Sequence, residues 1–124
     1  MTLGDLIAVL ATVGVPVLPP GTATAGLPAI VLHPGDNEIA TGGRRMLRRY
    51  DVAVLVPRGG QVEQLAELER LSDAAVIALM PTPAELDGPS RFAASDPTDP
   101  VEAPYFARLI PLAFIDTGVD LCPS

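Results

Sequence analysis

His33 is the one histidine of this 124-residue chain, and it closes an apolar run beside Pro34. A general base or metal ligand there needs a held partner, yet the sequence offers no second histidine and a single, remote cysteine, Cys122. His33 therefore reads as structural. No Gly-x-Ser-x-Gly elbow sets up a serine nucleophile, and a chain without lysine has no Gly-rich phosphate loop ending in Lys. Two carboxylate pairs, Asp36 with Glu38 and Asp96 with Asp99, carry oxygen chemistry suited to a hard cation. Both lie in Pro-rich stretches where Asp commonly holds a turn through its own backbone, and that is the expected role. Arg58-Gly59-Gly60 likewise reads as a strand-to-helix turn rather than an RNA-binding repeat. The expectation is a non-enzyme with no catalytic residue, cofactor or metal.

What remains is arginine. Arg44, Arg45, Arg48 and Arg49 place four of the eight positive side chains within six residues. They fall between the Gly42-Gly43 turn and the run Tyr50-Asp-Val-Ala-Val-Leu-Val56, so they project from the start of an ordered strand. Guanidinium groups make planar, two-pronged contacts with carboxylates that lysine cannot. Two roles stay open: a solvated strand edge whose charges suppress aggregation, or a contact with another subunit or a partner. For the second, the complementary patch on a neighbour is the acidic helix face of Glu63, Glu67 and Glu69, or the acidic loop of Asp96, Asp99 and Glu102. Head-to-tail pairing of such patches makes a ring if the rotation closes.

A net charge of −7 and a pI near 4.4 argue against a whole-molecule clamp on nucleic acid, because that affinity comes from clustered Lys and Arg. The length suits one domain, 1–124, able to bury about two thirds of its unfolded surface. One cysteine makes an intramolecular disulfide impossible and argues against a cysteine zinc site. The apolar stretch Leu6 to Leu18 lacks a basic leader, has Asp5 at its entrance and is shorter than the about 20 residues that cross a bilayer. A soluble protein of a reducing compartment, with no membrane partner, is expected. Fourteen prolines and eleven glycines in a chain that is 48 % hydrophobic describe a folded core with elaborate loops.

Thr2 and Asp5 form a capping-box pattern ahead of a helix over Leu3 to Val13, with Leu3, Leu6, Ile7 and Leu10 on one face and Gly14 and Pro16 as its stop. A short strand at Val15 to Leu18 and a buried one at Ala29 to His33 follow. The segment from Pro34 to Gly43 reads as an exposed connection, and Met46 to Val56 as the longest strand. In that strand Tyr50, Val52, Val54 and Val56 share one face, and the arginines divide, Arg44 and Arg48 opposite Arg45 and Arg49. A helix over Gln61 to Leu79 buries Val62, Leu65, Leu68, Leu71 or Ser72, Ala75, Val76 and Leu79, and sets Glu67 three residues before Arg70. After Pro81 and Pro83 come a short strand around Arg91 to Ser95 and a last strand, Tyr105 to Ile115. Pro111 lies inside that last strand and predicts an edge or a bulge. The order α-β-β-β-α-β-β describes an α+β fold, a mixed, mostly antiparallel sheet of four to five strands with two helices packed on it.

In its element order, in the segments Met-Thr-Leu-Gly-Asp-Leu-Ile7, Gly14-Val-Pro-Val-Leu-Pro-Pro-Gly-Thr-Ala23, Pro28-Ala-Ile-Val-Leu-His-Pro-Gly-Asp36 and Gly42-Gly-Arg-Arg45, and in the acidic helix ending near Pro81, the chain resembles tail terminator proteins of long-tailed actinobacterial phages over nearly its whole length. That resemblance implies a virion structural protein at the tail-neck junction, assembled in the host cytoplasm. It implies a homohexameric ring that caps the tail tube, ends its polymerisation and joins it to the head-neck connector. Its partners would be the tail tube protein, the connector protein and DNA passing through the lumen without specific binding. An acidic lumen that repels phosphate, and Pro-rich loops over 19–28, 34–43 and 82–104 that grip adjacent rings, suit such an adaptor. Two alternatives stay open: another neck protein such as a head-completion or connector ring, and a small ligand-binding or enzymatic α+β domain with a polar pocket around His33.

Overall fold

The computed structural model describes residues 1–19, 28–40, 42–57, 61–94 and 105–121. The elements run α1 (Leu3–Ala11), β1 (Val17–Leu18), β2 (Ala29–Pro34), β3 (Glu38–Ile39), β4 (Met46–Pro57), α2 (Gln61–Leu79), β5 (Glu85–Leu86), β6 (Arg91–Ala94) and β7 (Tyr105–Asp116). The fold is α+β, as expected. The sheet has seven strands in the order β1-β2-β4-β7-β5, with β3 added to β4 and β6 to β7. The strands beyond the expected number, β3 and β5, are two residues each and exposed, too short to leave a periodicity in the sequence.

β4 and β7 form the spine. They pair antiparallel over twelve residues each, from Met46 opposite Asp116 to Pro57 opposite Tyr105. β2 pairs antiparallel with the other side of β4, and β1 joins β2 in parallel. Side chains alternate across the sheet, so Val52, Val54 and Val56 of β4 share a face with Ile30 and Leu32 of β2 and with Phe106, Ile110, Leu112 and Phe114 of β7. Both helices pack there. Leu6 and Leu10 of α1 and Leu68, Leu71, Ala75 and Leu79 of α2 complete one core. A smaller cluster of Val31, Ala53, Leu55 and Ala107 lies on the opposite face.

The helices start and stop where their sequences dictate. Thr2 Oγ1 accepts from the Asp5 amide (3.2 Å) and Asp5 Oδ2 accepts from the Thr2 amide (2.9 Å), the reciprocal capping box. α1 ends two residues earlier than expected, with Thr12 as cap, and Gly14 at φ 99° turns the chain out in a conformation that favours glycine. In α2, Ser72 is the buried polar residue of the stripe, and its hydroxyl donates to the Leu68 carbonyl at 2.7 Å.

Pro111 corrects the expectation of an edge or bulged final strand. β7 is internal and paired without a bulge, Pro111 opposite Asp51. The Pro111 carbonyl accepts from the Asp87 amide at 2.9 Å, so this residue's backbone faces away from β4. In an antiparallel strand the N–H and C=O of one residue point the same way. The absent N–H therefore falls in the gap between β6, which reaches Leu109, and β5, which begins opposite Leu112, and the spine loses no bond. Pro111→Ala should accordingly shift stability only through unfolded-chain entropy, by about 0.4–1 kcal/mol. Leu6→Ala or Leu68→Ala, each emptying a fully buried site, should cost about 2–5 kcal/mol in equilibrium urea unfolding.

Candidate functional site

The arginine cluster sits at the start of β4, divided between the two faces as the alternation requires. On the helix-bearing face, Arg48 Nε donates to Asp116 Oδ2 at 3.1 Å, and Arg44 Nη2 to Asp120 Oδ2 at 2.9 Å. On the opposite side, Arg45 Nη1 donates to the carbonyls of Val119 (2.8 Å) and Thr117 (3.2 Å). Arg49 bridges Glu38 on β3 and, at 3.2 Å, Asp87 just after β5. The quartet thus fastens to the spine the segments that apolar burial cannot hold: β3, the β5 end and the turn over 116–121.

The partners expected for a neighbour are in part engaged within the chain as well. Glu67 accepts from Arg70 Nε at 2.9 Å, the pair its spacing announced, and Glu69 accepts from Arg108 of β7. Glu63 is exposed in the first turn of α2, whereas Asp96, Asp99 and Glu102 lie outside the described residues. Of the two carboxylate pairs, Glu38 is tied to Arg49 while Asp36 is exposed; the other pair is Asp96 with Asp99. Among the described residues no group of three His, Cys, Asp or Glu side chains is placed to hold a metal ion, and no helix is long and apolar enough to cross a membrane. His33 is exposed, opposite Asp51 on the face away from the helices.

Asp116 is the electrostatic centre of the cluster. Burial works to raise its pKa, but the Gly118 amide donating at 2.8 Å, the Arg48 guanidinium and the Met1 ammonium outweigh it and hold the carboxyl below its usual range. Met1 is itself docked there. Its ammonium donates to Thr117 Oγ1 at 3.1 Å, and its carbonyl accepts from the Thr117 amide at 3.1 Å. For Arg49, the hydrogen bond to Glu38 leads the causes that hold its pKa above the ordinary value.

Large apolar side chains are exposed at both edges of the sheet, as well as at Ile39 of β3 and at Val62 and Ile77 of α2. At the β1 edge, Leu3, Ile7, Val17, Leu32, Pro34 and Tyr50 are among the residues lining a groove of about 330 Å³. Leu3 and Ile7, expected on one face with Leu6 and Leu10, are each 39 % exposed on its rim. Tyr50 forms part of the wall and is stacked on Phe114 with ring centroids 5.9 Å apart. At the β5 and β6 edge, Met80 is 75 %, Leu86 53 % and Phe92 48 % exposed. Met80 and Leu86 border one small depression with Val76 and Leu112, so they form a continuous patch.

No protein-family model matches the chain, and no curated protein matches it. Val62, assigned to the buried stripe of α2, is also exposed, and Leu65 partly so. One signal of these edges stood in the sequence: α1 has a single charged residue in nine, too few for a helix with only one buried stripe. Leu86 and Phe92 carried no such signal, being lone apolar residues in a proline-rich stretch.

A carboxylate held below its unfolded pKa stabilises the fold fully above that value, about 3.9, and less as pH falls through the folded one. Asp116→Asn should therefore lower stability at pH 7 and, relative to the parent, remove part of the loss seen on acidification below about pH 4. Urea midpoints at pH 3 and pH 7 for both proteins measure the difference.

Proposed function

We propose that this protein is a ring-forming structural component of a phage particle, a tail terminator that caps the tail tube and joins it to the neck. The observation that carries the reading is the pair of exposed apolar edges flanking one α/β layer. A subunit that must contact a copy on each side needs two such surfaces, and a catalyst needs neither. The resemblance in element order and in the segments from Met1 to Arg45 points the same way. So does the acidity of the chain, since a ring traversed by DNA is favoured by repulsion of phosphate from its lumen.

In this reading the arginines act within the subunit, and Arg44, with 62 % of its side chain exposed, is the member best able to offer a further donor to a neighbour. The ring contacts then rest on apolar burial in preference to the acidic patches of Glu63 and Glu67. A neck ring other than the terminator shares these surfaces and differs only in its binding partner. For the ligand-binding alternative, the groove lies on the helix-bearing face whereas His33 lies on the other, so the polar pocket expected around that residue has no support among the described residues.

Negative-stain electron microscopy of the purified protein, alone and mixed with tail tubes, tests the proposal. Closed rings seated on tube ends are the expected result. Rings that ignore the tubes and bind the head connector would move the assignment to another neck component, and monomers in both samples would overturn it.

A further inference from the structure

We propose that Arg49 couples the two short strands on either side of the spine, so that β3 and β5 open and close together although they pair with different strands. This conformational device goes beyond the ring reading and does not depend on it.

β3 and β5 are the least secured strands of the fold. Each is two residues long with both side chains exposed, and segments with few buried contacts open most readily. β3 pairs with β4 at Leu47 and Met46, and β5 pairs with β7 at Ala113 and Leu112. Three strand spacings, about 14 Å, separate their backbones. Arg49 spans that gap. It lies on the face away from the helices, two residues along β4 from Leu47, which is registered with Glu38, and directly opposite Ala113 of β7. Ala113 carries only a methyl group, which leaves the guanidinium room to reach across β7. Arg49 Nε donates to Asp87 Oδ2 at 3.2 Å, and Nη2 donates to Glu38 Oε1.

Both segments are also bound by their backbones close to these contacts. The Asp87 amide donates to the Pro111 carbonyl at 2.9 Å, and the Ala40 amide to the Arg45 carbonyl at 2.9 Å. Ahead of β3, the Gly35 amide donates to the carbonyl of Arg49 itself at 2.8 Å. A Cβ at Gly35 would come within 3.3 Å of Arg49 Cβ, so this connection lies directly against the arginine. Each ion pair therefore acts on a segment that has its own closing hydrogen bond, and the state of that bond can be read.

The sign of the coupling follows from the donor geometry. Nε and Nη2 are separate donors in one rigid plane, so the two carboxylates do not compete for a hydrogen. Asp51, the next residue of β4 on this face, is paired with Arg91 at 3.8 Å. An arginine side chain has more rotamer freedom to lose than most, and the first carboxylate to bind it restricts that freedom. The second then meets a donor already oriented, and its closure costs less. Order in one strand favours order in the other.

The test is amide hydrogen exchange by nuclear magnetic resonance on the isotope-labelled full chain, with each substitution read on the far strand. Glu38→Ala should speed exchange of the Asp87 amide, and Asp87→Ala that of the Ala40 amide, each by about two- to five-fold, the range of an exposed ion pair. Arg49→Met should speed both. Exchange of amides in the β4–β7 ladder, unchanged in each variant, verifies that the fold is intact. A response confined to the strand that carries the substitution would make Arg49 two independent staples and overturn the proposal. Slower exchange on the far strand would show competition for the guanidinium and overturn it as well. Glu38 and Asp87 are both exposed, so their substitutions decide the question even where Arg49→Met disturbs the ladder.

Discussion

The long antiparallel ladder between β4 and β7 is the constraint from which the other elements take their positions. Each strand has a hydrogen-bonding side toward the other and a side left for the shorter strands, so β2 and β3 attach to β4, and β5 and β6 to β7. The alternation of side chains along this ladder decides which residues meet the helices. It also decides where a proline is tolerated. At 111 the ring nitrogen faces the break between β5 and β6, and a residue earlier or later it would have faced β4 and removed a spine hydrogen bond.

Apolar burial accounts for the ladder and the helices but not for the periphery. β3 and β5 expose their side chains, and the turn after β7 carries few large apolar residues, so none of these can be held by packing. The arginines supply the alternative. Arg49 reaches two carboxylates on different segments, while Arg44, Arg45 and Arg48 converge on residues 116–120, and the Met1 backbone joins them. Exposed pairs contribute little singly, about 0–1 kcal/mol, and their effect here is to set the geometry of the periphery. Asp116, at 14 % side-chain exposure, is the exception that burial makes consequential.

This division of labour leaves large apolar side chains exposed at the sheet's two edges, beside Glu85 and Arg91 at the β5 and β6 edge. Each arginine of the cluster has a partner within the chain, and Leu3 and Ile7 at one edge and Met80 and Leu86 at the other are apolar side chains left exposed beside it. In a chain this acidic, apolar contact is also the interaction best able to hold identical copies together. The proposed ring follows from that balance.

Much of the fold was legible because it rests on local rules. The Thr2–Asp5 box, the positive φ of Gly14, the bounds of α2, the Glu67–Arg70 pair and the split of the arginines between two faces all depend on spacing within a few residues. The same is true of the buried runs in β2 and β4. Legibility failed where the cause is remote in sequence. Pro111 looked disruptive because its neighbours across the sheet were unknown. Val62 looked buried because helical periodicity reports a stripe but not how far the partner surface extends. The arginines looked free because their carboxylates lie mostly 38 to 76 residues away. The sequence by itself determined the element types, the faces and the acidity, since these follow from side-chain chemistry and short-range geometry. Only the tertiary structure decided which cations are engaged and which apolar residues stay open, because both depend on contacts between segments that the chain brings together from far apart.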